Sequence, residues 1–161
     1  MLLSDTHKVA DIVNGSLSIE EEIKFKGVST DTRKRVAGRL FIALEGENFD
    51  GHLFTQSAEE LGAKAIIAHK KVSTSLPTII VKNTEKAYQK LATWYRQSLS
   101  PQVIAITGSN GKTTTKNMLD SILSLQAPTL STKGNLNNHL GVPKTILELT
   151  EKHRYCVVEM G

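Results

Sequence analysis

The stretch that most restricts the fold is QVIAITGSNGKTTTKNM, residues 102–118. An apolar run of strand length meets two glycines and a lysine, then a segment with helical spacing. Chain geometry leaves few ways to satisfy that order: a strand, a tight glycine turn, and a helix folding back on the sheet. The usual phosphate-loop pattern is G-x-x-x-x-G-K-[ST], and here its leading glycine would fall at Ile106, so the strict form fails. The physical requirements for phosphate remain in Thr107, Gly108, Ser109, Asn110, Gly111, Lys112, Thr113 and Thr114. Gly108 and Gly111 can adopt positive φ and turn backbone N–H groups towards an anion. The following helix presents its positive end to the same point. Lys112 can reach the β- and γ-phosphates, and the Thr113 hydroxyl can join a Mg²⁺ shell. A strand-to-helix turn with no ligand is the alternative, and the strand before it and the helix after it favour nucleotide.

Around this loop the chain alternates between strand-like and helical segments, which predicts an α/β fold. A first helix is expected over 4–14, capped by Ser4 and stopped by Gly15. FKGV (25–28) reads as a short strand. Longer strands are expected at 39–44, 64–69 and 78–82, with a short helix from Phe54 ending at Gly62. Residues 84–99 are the clearest helix, capped by Thr84, with Tyr88, Leu91, Ala92, Tyr95 and Leu99 on one stripe and Trp94 packing off it. Pro101 cannot continue that helix, so a boundary is placed there: one domain over 1–99 and a second over 100–161. The second holds the strand 102–107, a helix over 112–125 with a buried stripe of Met118, Leu119, Ile122 and Leu123, and a buried strand at 155–160. A fully apolar strand expects covering layers on both faces, so two or three strands and about two helices read as the incomplete opening of a larger domain.

Composition excludes several classes. Of 161 residues, 39% are hydrophobic and 22% charged, which is ordinary for a globular chain. No apolar run approaches the ~20 residues that span a bilayer, and residues 1–15 lack a secretory pattern. Cys156 is the single cysteine, which removes any internal disulfide and fits a reducing, cytoplasmic setting. Inside an apolar strand it reads as a small buried hydrophobe. The net charge of +4 comes from scattered residues, with TRKR (32–35) and HKK (69–71) the only basic clusters. Solvated surface residues are the simpler reading of both clusters and attraction to a phosphate-bearing ligand the sharper one; neither is interleaved with aromatics, which argues against nucleic acid. The five histidines show no metal-ligand spacing along the chain, so no zinc site is expected.

TGSNGKTT after VIAI resembles the ATP-binding loop of the Mur ligases, whose version has this shorter glycine spacing. GNLNNHLGVPKTIL (134–147), VVEMG (157–161), STDTRK (29–34) and GENFDGHLF (46–54) extend the resemblance over nearly the whole chain. It is strongest to the branch that joins D-alanyl-D-alanine to UDP-N-acetylmuramoyl-tripeptide. The sister ligase that adds the third stem-peptide residue should differ in the GNLNN segment, and folylpolyglutamate synthases should lack the STDTR and FDGH stretches. The resemblance implies an N-terminal α/β UDP-sugar-binding domain followed by an incomplete phosphate-loop ATPase domain. The remainder of the central domain and a third domain would lie outside this sequence, so the chain alone reads as an inactive piece.

The implied reaction is ATP-dependent amide formation through an acyl phosphate. Lys112 would stabilise the transferring phosphoryl group, while Thr113 and Glu159, the residue matching the family's metal-binding glutamate, would hold Mg²⁺. Asn135, Asn137 and Asn138 could donate to phosphate or sugar oxygens, with loop formation as their other role. Ser29, Thr30, Asp31, Thr32 and Arg33 would meet the uridine diphosphate, and Asn48, Asp50 and His52 would form a second substrate loop. A strand-connecting turn is the alternative reading of each segment. A phosphate-loop NTPase or kinase with a separate ligand domain, and a non-catalytic UDP-sugar-binding module, are the competing readings.

Overall fold

The computed structural model describes residues 3–161. It contains two compact units, one running through Leu91 and the other from Ala92 to Gly161.

The first unit opens with β1 (Leu3–Asp5) and α1 (Thr6–Val13). Asp5, rather than Ser4, caps α1: its carboxylate accepts from the Lys8 N–H at 2.8 Å. The helix stops at Asn14 in the left-handed region, one residue before the expected glycine. Short strands follow at β2 (Ser16–Leu17), β3 (Lys24–Lys26), β4 (Val28–Ser29) and β5 (Leu40–Ile42). The FKGV segment is thus two strands broken at Gly27, with β3 pairing β1 and β4 pairing β5. A hairpin of β6 (Glu45–Gly46) and β7 (Phe49–Asp50) leads into a 3-10 turn, Gly51–Phe54. Then come α2 (Thr55–Glu60), β8 (Ala65–Ala68), β9 (Thr78–Ile80) and α3 (Thr84–Gln97).

The main sheet has the order β2-β9-β8-β5-β4, parallel throughout except at β2. Its central strands are continuously apolar, and β5 and β8 are buried at every position. That is the signature of a parallel sheet covered on both faces. Phe41, Ala43, Ile66 and Ala68 share one face and pack with Ala58 of α2, Ala63 and Val36. Leu40, Ile42 and Ile67 alternate with them and are also fully buried. Burying each of these side chains contributes roughly 1.5–3 kcal/mol.

The second unit takes the C-terminal part of α3, so the structural division falls inside that helix rather than at Pro101. Tyr95 explains this: it is buried, and its hydroxyl donates to the Leu149 carbonyl at 2.7 Å. Trp94 is half-buried. The unit continues with β10 (Gln102–Ile106), α4 (Lys112–Ser124), β11 (Thr129–Ser131), α5 (Gly141–Leu147) and β12 (Tyr155–Glu159). The three strands are parallel in the order β10-β12-β11, which puts the latest strand in the middle. Central β12 is buried from Cys156 to Glu159, whereas β10, with β12 as its one neighbour among the described residues, is only half-covered. The thiol of Cys156 is pushed up to about 11 by burial.

The expected buried stripe of α4 is corrected by the structure. Met118 and Ile122 are 62% and 56% exposed, Leu119 and Leu123 are half-buried, and the fully buried residue of that helix is Lys116. Helical spacing identifies a face but not whether anything packs on it. Met118, Ile122, Thr114, Asn117 and Ser121 line a shallow open groove along this helix.

Candidate functional site

All three strands of the second unit run the same way, so their carboxyl ends form one edge, where α/β sheets place ligands. Ile106 of β10 and Glu159 of β12 are register partners at that edge. The glycine loop leaves β10 immediately after Ile106 and is therefore delivered beside Glu159. Within it, Gly108 has φ +144° and Gly111 φ +75°, conformations that L side chains rarely adopt. Gly111 sits at the N-cap position of α4 and brings no side chain to cap it. The first-turn N–H groups of a helix begun this way are suited to an anion. Lys112 Nζ donates to the Gly108 carbonyl at 2.6 Å, which holds the ammonium over the loop.

Glu159 is the centre of the arrangement. It is only 3% exposed, yet both carboxylate oxygens are engaged. Thr113 Oγ1 donates to Oε2 at 3.0 Å and Asn137 Nδ2 to Oε1 at 2.9 Å. The Asn137 amide, with Thr113, Lys116 and Lys112 adding smaller effects, holds this carboxyl below its ordinary value. A hydroxyl and a carboxylate in contact beside a glycine loop are hard oxygen donors, which fit Mg²⁺ better than a softer metal.

The three asparagines separate in function. Asn137 reaches Glu159, and its carbonyl accepts from Gly161 N–H at 2.8 Å. Asn138 instead turns back on its own loop, its Oδ1 accepting from Gly141 N–H at 2.8 Å and Leu140 N–H at 3.2 Å at the start of α5. Asn135 is exposed. Gly141 is required for a different reason from the loop glycines: a Cβ there would lie 2.4–2.6 Å from the Leu136 backbone.

Two further residues of this site carry no sequence signal. Lys116, buried, donates from Nζ to the Thr132 carbonyl at 2.8 Å. Thr132 Oγ1 accepts from the Glu159 N–H at 3.0 Å. Lys116 thus anchors the end of β11 that in turn fixes the backbone of Glu159. In sequence it was one more lysine on a helix.

In the first unit the segments singled out from sequence also lie at the carboxyl ends of parallel strands. Ser29 ends β4 and residues 30–33 follow it, residues 43–52 follow β5, and His69 and Lys70 follow β8. Ser29 is buried and its hydroxyl donates to the Asp31 carbonyl at 3.2 Å. Arg33 makes a two-point bond to Asp31, Nε to Oδ1 at 2.9 Å and Nη2 to Oδ2 at 3.0 Å. That guanidinium holds the Asp31 carboxyl below its usual value. The arginine is 88% exposed, so the pair shapes the turn more than it stabilises the fold. Thr30 and Thr32 are half-buried. Asn48 is exposed at the tip of the β6–β7 hairpin.

Asp50 and His52 are turned inward. Asp50 Oδ1 accepts from the His52 backbone N–H at 2.9 Å and lies 2.7 Å from His52 Nδ1. His52 Nε2 accepts from the His69 N–H at 3.2 Å. The His52 ring is buried with both nitrogens engaged, and these bonds hold the loop in shape. Lys70 Nζ donates to Asp50 Oδ2 at 2.8 Å and to Glu45 at 3.3 Å, and Lys70 is the main reason the Asp50 carboxyl lies far below its ordinary range. Histidines far apart in sequence also meet here: the His52 and His69 rings are 4.3 Å apart, edge to face, and His69 Nε2 is 3.0 Å from Glu45 Oε2. Spacing along the chain could not reveal this.

A parallel strand, a glycine loop with two positive-φ residues, a lysine over it and a buried carboxylate against the first helical turn together define a phosphate-loop α/β protein. Comparison with known proteins narrows the class. The Mur ligase middle domain matches residues 106–161, and the Mur ligase family, catalytic domain, matches residues 24–100. The chain belongs to the Mur ligase family. It is 46% identical over 154 residues to the UDP-N-acetylmuramoyl-tripeptide–D-alanyl-D-alanine ligase of Escherichia coli K12, covering 96% of this chain and 34% of that protein. A crystal structure of MurF from Acinetobacter baumannii superimposes with a TM-score of 0.92 at 38% identity, covering 100% of this chain and 36% of that one. The MurF ligase of Thermotoga maritima in complex with ADP gives 0.76 at 34% identity, covering 84% and 32%. The chain spans about a third of the length of the relatives it matches.

Proposed function

We propose that the chain forms the UDP-sugar-binding unit and the opening of the ATP-binding unit of a peptidoglycan ligase. That ligase joins D-alanyl-D-alanine to UDP-N-acetylmuramoyl-tripeptide in the cytoplasm, using ATP. The observation that carries the reading is the Thr113–Glu159–Asn137 cluster beside the Gly108–Gly111 loop. Backbone N–H groups of Ser109 to Thr114 bind the nucleotide phosphates, and Lys112 neutralises charge on the phosphoryl group in flight. Thr113 and Glu159 would hold Mg²⁺, which supplies further charge neutralisation at the phosphates when bound. Asn137 keeps Glu159 aimed at that position. The tripeptide carboxylate attacks the γ-phosphorus, ADP leaves, and the amine of D-alanyl-D-alanine displaces phosphate from the acyl phosphate to form the amide.

In the first unit, Ser29 to Arg33 and the hairpin tip at Asn48 take the uridine diphosphate end. Arg33, already oriented by Asp31, offers its outward side to a phosphate. Asp50 and His52 hold the second loop in place.

Titration calorimetry on the chain tests both halves. UDP-N-acetylmuramoyl-tripeptide binds saturably, and Arg33→Ala weakens it by more than about tenfold. Failure of a folded chain to bind this ligand would remove the assignment of the first unit. In a ligase of full family length carrying this sequence, Lys112→Ala lowers turnover by at least about a hundredfold. Survival within about tenfold would show that Lys112 does not stabilise transferring charge.

A further inference from the structure

We propose that Glu45, His52 and His69 form a binding site for a divalent transition-metal ion of the zinc class, separate from the nucleotide loop. Each residue offers one donor atom, and the three donors lie within 4.8 Å of one another. Tetrahedral bonds of about 2.0–2.1 Å bring such donors to roughly 3.3 Å apart, so a contraction of at most about 1.5 Å completes the set. Glu45 and His69 are already there, at 3.0 Å.

The second layer is arranged as metal sites require. Asp50 Oδ1, 2.7 Å from His52 Nδ1, fixes the tautomer with its proton on Nδ1 and leaves the lone pair on Nε2. His52 is buried, which locks the ring, whereas His69 is 25% and Glu45 43% exposed at the side chain. A metal held by the three therefore keeps a fourth position towards solvent. The carboxylate–histidine arrangement comes from three elements: the β6–β7 hairpin, the 3-10 turn and the residue after β8. An ion here clips them together.

Two interactions oppose it and set its strength. His52 Nε2 must give up the His69 N–H, a bond at the long end at 3.2 Å. Lys70 Nζ lies 3.3 Å from Glu45 Oε1, a cation beside the ligand. Lys70 also holds Asp50 at 2.8 Å, so it can release Glu45 and remain paired. Two imidazoles and one carboxylate favour Zn²⁺, Ni²⁺ or Cu²⁺ over Mg²⁺ and Ca²⁺. Cys156, buried with its thiol pushed up to about 11, is no rival ligand.

The test is calorimetric titration of the whole chain with ZnCl₂ at neutral pH, alongside Glu45→Gln and His69→Gln, with circular dichroism confirming the fold of each. One equivalent of Zn²⁺ binds and raises the thermal midpoint. Each variant weakens it by more than about tenfold, and excess MgCl₂ does not displace it. Co²⁺ substitution gives visible bands of a four-coordinate nitrogen and oxygen site without thiolate charge transfer. Absence of saturable binding, or binding unchanged in both variants, overturns the proposal. Displacement by Mg²⁺ overturns the metal class.

Discussion

At the scale of single residues, the second unit relies on polar groups that have one satisfactory arrangement. His153 is an example outside the nucleotide loop. Its Nδ1 accepts from the Thr150 N–H at 3.0 Å and lies 3.0 Å from the Thr150 hydroxyl. Burial lowers the pKa of this ring below its ordinary value of 6.5. The folded state therefore favours the neutral form. Stability from this group is fully present above the unfolded-state pKa and is lost as pH falls from about 6.5 towards the lower folded value. Urea unfolding between pH 7.5 and 5.5 should show a falling midpoint that His153→Gln flattens. An equal slope in the variant would place the dependence elsewhere. Lys116 has the same character: a buried cation whose carbonyl partner belongs to the residue that fixes Glu159. The Gly-Lys-Thr core was legible in sequence because its chemistry is local and its residue types are few. Lys116, Thr132, Glu45 and His69 were not, because their roles depend on residues 16 to 27 positions away, or on which of many lysines faces inward.

At the scale of elements, periodicity marked the longer strands and helices, and left their ends and several short elements unmarked. Expected strands at 39–44 and 78–82 shrink to Leu40–Ile42 and Thr78–Ile80, because ladder pairing ends before apolar character does. Strand β11 has three residues and helix α5 seven, with Pro143 inside it, too short for a period to show. The entry to α5 is a close-packed point. Gly141→Ala would drive a methyl into the Leu136 backbone, where no flexible side chain can yield. The expected loss is about 2–4 kcal/mol, read as a shifted denaturant midpoint, because backbone must move. A loss below about 0.5 kcal/mol would mean that the 134–141 loop relaxes freely. Since Asn137 sits in that loop, nucleotide affinity should fall along with stability.

At the scale of the whole molecule, the two units differ in how completely each covers its own sheet. The first has a five-stranded sheet whose central strands are buried on both faces. The second has three strands, a half-covered β10 and an α4 face with Met118 and Ile122 in solvent. Local opening follows such differences in buried apolar contact. Amide exchange should therefore be faster over 102–161 than over 3–91, and Met118→Gln should leave stability within about 0.5 kcal/mol. Uniform protection of a monomer would contradict this account. The relatives are about three times as long as this chain.

The order β10-β12-β11 also has a biosynthetic meaning. Neither β10 nor β11 has a ladder partner other than β12 within the three-stranded sheet, and β12 is the last of them to be made. On a ribosome, the glycine loop and its helix emerge long before residues 155–159, yet the sheet that positions them cannot zip from either side. Glu159 arrives on the same strand that joins β10 to β11. Joining of β10 to β11 through β12 and delivery of Glu159 to the glycine loop are one event in the growing chain, and a nascent chain stalled before Tyr155 would carry the loop without the strand that links them.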